Sequence, residues 1–167
     1  MKFTIRQANP ADAATIAELF IRVRAQMAYL PRLHTDIETR EFIAHVVETD
    51  EVWVATESEM KLDRVTGFAA IHDEPKKIWL DHLYIAPIAQ GLGLGAALLH
   101  KVKTQRPQGF SLWTFQQNQG ARRFYERHGL TLARLTDGRD NEEKLPDALY
   151  VWSGDKNEQN DREGSNA

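Results

Sequence analysis

The sequence predicts one mixed α/β domain, and three observations support this fold class. Some segments show the two-residue alternation of strands, and others space their apolar residues as helices do. These segments follow one another as strand, two helices, three strands, helix, strand, helix and two strands, so helices connect central strands of one sheet. The chain has 167 residues, of which 42% are hydrophobic, and this suffices for one domain with a substantial core. We place that domain at residues 1–153.

The first half of the chain predicts a strand and two helices before the central strands. Phe3 to Gln7 alternate as a half-buried strand does. Asn9-Pro10 offers an N-cap with proline at the first helical position, and the helix that follows ends before Pro31. A second helix is predicted over 36–48. The strands that follow are predicted at 52–56, 65–71 and 78–85, with a polar hairpin turn over 57–63 and a second turn at 75–77.

The second half predicts alternating helices and strands and a polar tail. A helix over 91–105 stops at Pro107, and a helix over 118–128 ends at Gly129, a typical C′ residue. Strands are predicted at 109–115, 130–135 and 148–152. Residues 154–167 have no apolar side chain larger than alanine, so we expect a disordered C-terminal tail.

A glycine-rich loop lies between the strand at 78–85 and the next helix. Gly91, Gly93 and Gly95 alternate with leucines at the predicted helix start. Glycines leave the backbone N–H groups uncovered, and the positive end of the helix dipole adds to their attraction for anions. The loop therefore predicts binding of a phosphate-bearing cofactor.

Two common phosphate-binding motifs fit this loop poorly. A P-loop requires Lys-Ser or Lys-Thr after its last glycine, whereas Ala96-Ala97 follow here. A dinucleotide fingerprint fits formally, but residues 86–90 separate the glycines from the strand, and 110–115 contain no acid to hold a ribose. A nucleotide-dependent oxidoreductase is therefore disfavoured.

Two sequence blocks resemble a known family. Gln90 to Gly95 is similar to the [Gln/Arg]-x-x-Gly-x-[Gly/Ala] signature of the GNAT superfamily of N-acetyltransferases. Asn118 to Leu130 resembles that family's Asn-x-x-Ala-x-x-Phe-Tyr-Glu-x-x-Gly-Phe pattern, in the family's order and at its usual separation. The specific motifs cover about 83–130, and the order of elements agrees over 3–152. The resemblance implies a GNAT-like acyl-CoA N-acyltransferase fold, with a central twisted mixed sheet and helices on both faces.

The resemblance also implies acetyl-CoA as the acyl donor. The backbone of the fourth strand would pair with the pantetheine arm in a gap between the fourth and fifth strands, and the loop N–H groups would hold the pyrophosphate. The cofactor-binding residues expected on this basis are Leu83, Tyr84, Ile85, Gln90, Gly91, Leu92, Gly93, Leu94, Gly95, Ala96, Asn118 and Phe124. Asn118 also suits a plain helix N-cap, and Phe124 a core position.

Acetyl transfer to an amine needs a proton for the departing thiolate and a neutral amine. Tyr125 lies where the family places the phenol that protonates the thiolate; the alternative is a core tyrosine whose hydroxyl bonds a backbone carbonyl. Asp81 and His82 are the candidate bases, although both could be structural, and many family members use a water chain. Strict alternation would place Asp81 with Trp79, Leu83 and Ile85 on one face of the strand, and His82 with Leu80 and Tyr84 on the other.

The connection 136–147 before the last strand is rich in acids. The resemblance implies that such a connection borders the acceptor pocket, where Glu142 and Glu143 would attract a cationic amine. A solvated loop is the alternative. The expected acceptor is a small-molecule amine or a protein N-terminal amine. Arg22, Arg24 and Arg32 are interpreted as surface charges, although the resemblance implies that the region after the first helix can also line the acceptor side.

Composition excludes several other functions. The chain has no cysteine, which excludes disulfides, thiolate metal sites and a cysteine nucleophile, so direct attack in a ternary complex is the simpler mechanism. We expect no metal site. A net charge of −3 argues against a nucleic-acid partner. The absence of a long apolar run argues against a membrane partner, and we expect a cytoplasmic location. The predicted function is an acetyl-CoA-dependent N-acetyltransferase. A non-catalytic acyl-CoA sensor is the alternative, and a homodimer stays open.

Overall fold

The computed structural model describes residues 2–59 and 62–155 and confirms the mixed α/β class. The strands are β1 (Phe3–Gln7), β2 (Glu51–Glu59), β3 (Leu62–Glu74), β4 (Lys77–Ile85), β5 (Phe110–Phe115), β6 (Thr131–Leu135) and β7 (Asp147–Trp152). The α-helices are α1 (Ala13–Ala25), α2 (Asp36–Thr49), α3 (Leu94–Gln105) and α4 (Gln119–Arg127), and short 3₁₀ turns span Pro10–Asp12 and Pro87–Ala89.

The β2–β3 hairpin is longer than the sequence predicts. Most of the polar segment 57–63 is strand rather than turn, because the ladder continues through the pairs Glu57–Arg64 and Ser58–Asp63. The Ser58 hydroxyl donates to the Asp63 carboxylate at 2.8 Å. Polar cross-strand pairs of this kind stabilise an exposed hairpin end, so polarity there marks exposure to solvent and not a break in the strand.

The sheet contains seven strands in the order β1-β2-β3-β4-β5-β7-β6. All neighbours are antiparallel except β4 and β5, which run parallel and share one register pair, Trp79 with Ser111. Beyond that pair the two strands diverge. The divergence opens a gap at the carboxyl ends of β4 and β5, in the middle of the sheet.

Helices cover both faces of the sheet. Phe68 of β3 and the Phe20 ring of α1 both lie against Tyr84, at ring separations of 5.7 Å and 5.1 Å, so α1 covers this face. The neighbouring Gly67 points to the opposite face, where a Cβ would lie only 3.2 Å from the Leu98 side chain of α3. Gly67 therefore permits the close approach of α3, and the fold positions α1 and α3 on either side of β4.

A β-bulge interrupts β4 at Asp81. Ile71 pairs with Leu80 and Ala70 pairs with His82, so Asp81 is an extra residue in this strand. Leu80 and His82 consequently lie on opposite faces of the sheet, and the strict alternation expected from the sequence is wrong at this point. Sequence alternation cannot show such an insertion, because the register depends on pairing with β3.

The predicted tail lies almost entirely outside the described residues. Gly154 and Asp155 are described, and the Asp155 N–H donates to the Pro107 carbonyl at 3.1 Å. Gly154 has a φ of +87°, and a Cβ there would lie 2.5 Å from the Pro107 carbonyl oxygen. Ordered structure therefore extends two residues beyond the predicted domain end. Among the described residues, no helix combines the length and apolar content needed to cross a bilayer.

Candidate active site

The gap between β4 and β5 opens into a cavity of about 700 Å³, here called the first cavity. Its walls are the end of β4, the glycine loop, the end of β5 and α4. Of the residues expected to bind cofactor, those lining it are Leu83, Tyr84, Ile85, Gln90, Gly91, Gly93, Leu94, Gly95, Ala96, Asn118 and Phe124. Leu92 lies outside this lining and is 50% exposed.

The glycine loop owes its shape to two residues with positive φ. Gly91 has a φ of +77° and Gly93, the N-cap of α3, a φ of +83°, a region that glycine adopts readily. The Gln90 side-chain amide donates to the Ile85 carbonyl at 3.2 Å and ties the loop to the end of β4. Because these glycines are not helical, α3 begins at Leu94 and not at the predicted residue 91.

The start of α3 presents free backbone donors to the first cavity. The first α-helical hydrogen bond in this turn joins the Ala97 N–H to the Gly93 carbonyl at 3.0 Å. The N–H groups of residues 94–96 therefore precede the helical ladder, as at any helix N-terminus. Combined with the positive end of the helix dipole, they form a suitable seat for a phosphate group.

Phe124 of α4 forms the wall opposite this seat. A Cβ at Gly95 would lie 3.5 Å from the Phe124 ring and 3.8 Å from Ile85, so the three residues are in close contact. His128 supports the ring from the other side at a centroid separation of 4.4 Å. Asn118 caps α4, its side-chain oxygen accepting from the Ala121 N–H at 3.2 Å. The capping role considered from the sequence is therefore present, and Asn118 also borders the cavity.

Tyr125 is buried yet borders the first cavity. It is 8% exposed, and its hydroxyl makes no hydrogen bond within the described part of the chain, including none to a backbone carbonyl. Burial, reinforced by nearby Tyr84, raises the pKa of the phenol above its usual range, so it is protonated at neutral pH. The neighbouring Tyr150 differs, because its hydroxyl donates to Glu126 at 2.8 Å and accepts from Arg122 at 3.0 Å. The Tyr125 hydroxyl therefore has a proton to donate, whereas the Tyr150 hydroxyl is already used in structural hydrogen bonds.

The bulge in β4 leaves the side chains of Asp81 and His82 on the same face of the sheet, but in different surroundings. His82 lies on the α1 face, with the rings of Phe20 and Phe42 at 5.6 Å and 5.8 Å. Burial is the largest cause of the lowering of its pKa to about 4, and the Arg24 charge adds to it. His82 is therefore neutral near pH 7 and can accept a hydrogen bond.

Asp81 is exposed and lies near His72 and Asp50, so its carboxylate does not share a face with Leu83 and Ile85 as the sequence analysis expected. Although Asp81 as a whole residue is exposed, its carboxylate is partly desolvated by neighbouring atoms, which raises its pKa. The three side chains could hold a metal ion, because their ligand atoms lie within 4.8 Å of one another. His72 and Asp50 already bond each other at 3.0 Å, which raises the pKa of His72.

A second cavity of about 780 Å³ lies on the α1 face. It is bounded by the end of α1, the connection to α2 and the first turns of α2, and His82 lines it. Most of its wall is apolar, formed by Phe20, Ile21, Met27, Leu30, Pro31, Leu33 and Phe42. Met27 lines both cavities, so the two adjoin at this residue.

Glu142 and Glu143 line the second cavity, as the resemblance implies for an acceptor border, but both are paired. Glu143 bonds Arg24 at 3.0 Å, and Glu142 contacts His34. Asp147, from the same connection, is buried and accepts hydrogen bonds from Thr136 and Asn141. The attraction for a cation that the sequence suggests is therefore partly offset by neighbouring positive charge.

Arg24 lines the second cavity, whereas its main interpretation from the sequence is a surface charge. Its side chain is 26% exposed and lies 5.3 Å from the Phe20 ring centroid. It follows Phe20 by four residues on α1 and so shares its helix face. That spacing was the available signal, because Phe20 belongs to the apolar stripe of the helix.

Acidification should destabilise the protein through His82. The unfolded chain binds this proton near the usual pKa of 6.5, whereas the folded protein resists it until about pH 4, so stability falls as pH drops through this window. We expect about 2 kcal/mol less free energy of unfolding at pH 5 than at pH 7 from this group alone. Urea unfolding of the native protein and of His82→Phe at both pH values isolates the effect. Parallel pH dependences in the two proteins would show that His82 titrates normally.

Comparisons with known proteins give consistent results. The family model described as acetyltransferase (GNAT) domain matches residues 48–130. No match is found among curated protein sequences.

Among solved structures, yncA of Salmonella typhimurium with its cofactor acetyl-CoA is 20% identical, with a TM-score of 0.71 over 93% of this chain and 96% of that one. A GNAT-family acetyltransferase of Bacillus cereus is 14% identical, with a TM-score of 0.73 over 93% of this chain and 100% of that one. NAA60 of Arabidopsis thaliana in complex with a bisubstrate analogue is 17% identical, with a TM-score of 0.70 over 90% and 98%. These likenesses show a shared fold.

Proposed function

The chain belongs to the GNAT superfamily of acetyltransferases, and on that premise we propose that it transfers the acetyl group of acetyl-CoA to a primary amine by direct attack in a ternary complex. The observation that carries the proposal is the meeting of two cavities at Met27, with the protonated Tyr125 bordering the first of them. A transferase that holds both substrates at once needs two adjoining sites.

The first cavity fits the acyl donor in charge and shape. Its phosphate seat consists of the glycine loop and the free N–H groups of residues 94–96, which suit a pyrophosphate. Beyond Trp79 the edge of β4 faces the gap and not β5, so its backbone groups near Leu83 and Ile85 are available to an extended arm. The acetyl-CoA-bound yncA structure supports this assignment through the shared fold.

Tyr125 is the proposed general acid. As the amine nitrogen bonds the acetyl carbon, the carbon–sulfur bond breaks and the sulfur takes up the proton of the phenol. The raised pKa keeps that proton on Tyr125 until negative charge develops nearby. The amine loses one proton during attack, and the phenolate that remains is reprotonated from that proton or from solvent.

The second cavity is the proposed acceptor site, bordered by Glu142 and Glu143. His82 lines it as a neutral imidazole and is placed to accept a hydrogen bond from an incoming amine. Asp81 is a lining residue of the first cavity and has a raised pKa, as a carboxylate base requires. Both remain candidate bases in this proposal.

A thiol-release assay over a panel of amines tests the proposal. We expect acetyl-CoA to bind and free CoA to appear faster with at least one primary amine than with none. The panel should include amino acids, polyamines, aromatic amines and peptides with free N-termini. Binding of acetyl-CoA without release above the amine-free rate for every acceptor would indicate a sensor and not an enzyme.

A further inference from the structure

Arg24 lies where the second cavity adjoins the first. Its side chain emerges from the last turn of α1 and lines the second cavity. One terminal nitrogen donates to Glu143 at 3.0 Å, and the other lies 3.5 Å from the hydroxyl of Tyr84, which lines the first cavity. Arg24 therefore connects the proposed acceptor site with the proposed donor site.

The guanidinium of Arg24 has N–H groups that make no hydrogen bond within the described residues. An arginine side chain carries five N–H groups, and within the described residues Arg24 uses two of them. The structural arginines differ: Arg106 bonds Asp73 twice, Glu51 once and a backbone carbonyl once. Arg6 makes three hydrogen bonds, two to Asp12 and one to the Gln7 carbonyl. A half-buried guanidinium with unused donors at the border of a cavity is suited to a planar oxyanion.

The other residues of the second cavity indicate which chemical groups a ligand would carry beside that oxyanion. Glu143 beside Arg24 supplies the opposite charge, so the pair complements a group that carries both an ammonium and a carboxylate. Phe20, Leu30 and Leu33 are among the apolar residues of the wall, and Arg32, Asp36, Glu38 and Glu142 are charged residues of the same wall. The apolar residues favour an apolar side chain on the group that carries the amine and the carboxylate.

Resting on the proposed function, we propose that the acceptor is an α-amino acid with an apolar side chain, its carboxylate bound by Arg24. The α-nitrogen is separated from the carboxyl group by one carbon. A carboxylate on Arg24 therefore holds the amine near Tyr84 and Met27, where the two cavities meet. Arg24 acts as a specificity-determining residue, because it binds the part of the acceptor that does not react.

The test compares matched acceptors with matched variants. L-Phenylalanine and L-phenylalaninamide share shape but differ in the carboxylate and in the basicity of the amine, so kcat/KM is compared per neutral amine. On that scale the wild-type protein should prefer the acid by about 10- to 100-fold, as expected for a hydrogen bond to a charged group. Arg24→Gln should lower kcat/KM for the acid by a similar factor and change the amide by less than about threefold. Arg22→Gln, an exposed arginine of the same helix, should change neither.

Each result decides a different point. Equal use of acid and amide by the wild-type protein would overturn the inference without any variant, as would an equal loss for both acceptors in Arg24→Gln with unchanged acetyl-CoA affinity. Efficient acetylation of polyamines or peptides with poor use of amino acids would also overturn it and leave the proposed function standing. If no amine releases CoA from bound acetyl-CoA, the proposed function itself fails.

Discussion

Gly93→Asp should weaken acetyl-CoA binding by about 100-fold or more. The new carboxylate would stand at the N-cap of α3, beside the free N–H groups of residues 94–96 that form the proposed phosphate seat. Two like charges about 4 Å apart near a protein surface repel by about 4 kcal/mol, and each 1.4 kcal/mol is about tenfold in affinity. Isothermal titration calorimetry measures the loss directly.

Gly129→Asp is the matched control for backbone strain. Gly129 has the same φ of +83° as Gly93, and a Cβ at either position meets no atom within 4 Å. Both substitutions carry the cost of left-handed backbone, about 1–2 kcal/mol, but only Gly93 lies at the phosphate seat. We expect Gly129→Asp to lower the melting temperature and keep acetyl-CoA affinity within about threefold. Equal affinities in both variants would refute the assignment of the loop.

Tyr125→Phe should lower turnover by about 10²- to 10⁴-fold, the usual contribution of a general acid, with little change in acetyl-CoA affinity. The substitution removes only a hydroxyl that has no partner within the described residues, so the fold should lose little stability. Steady-state rates with the best amine of the panel, together with calorimetry for the donor, separate chemistry from binding. A loss below about twofold would make Tyr125 a packing residue.

Tyr150→Phe provides the opposite pattern. That hydroxyl bonds both Arg122 and Glu126, so its removal should lower the melting temperature. Because Tyr150 does not border the first cavity, turnover of the folded variant should stay near the wild-type rate. A pair of variants in which Tyr125→Phe affects rate and Tyr150→Phe affects stability would distinguish catalysis from packing.

The order of elements and the position of the glycine-rich loop could be predicted from sequence because their signals are local. Alternation marks β1, proline and asparagine mark the start of the first helical segment, and three glycines within five residues mark the loop. The second motif, at 118–130, contains the whole of α4 and so carries the helical pattern as well. Each of these features is determined by residues that are close to one another in the sequence.

The acceptor side could not be predicted, because contacts between distant residues determine it. Arg24 and Glu143 are 119 positions apart, and His34 and Glu142 are 108 apart, so no local pattern shows that these charges are paired. The bulge at Asp81 depends on the register with β3 and reverses the faces that simple alternation assigns to Leu80 and Asp81. The hairpin end at 57–63 resembles a turn in sequence, because polar composition is typical of both turns and exposed strands.

Acetyl transfer to nitrogen is tested most directly by following an isotopically labelled acetyl group from acetyl-CoA into product. The protein is incubated with labelled acetyl-CoA and the best amine of the panel, and mass spectrometry follows both the amine and CoA. We expect labelled N-acetyl product to appear in amounts equal to free CoA, and far more slowly with Tyr125→Phe. Bound acetyl-CoA that keeps its label with every amine, or free CoA without N-acetyl product, would contradict the proposed function.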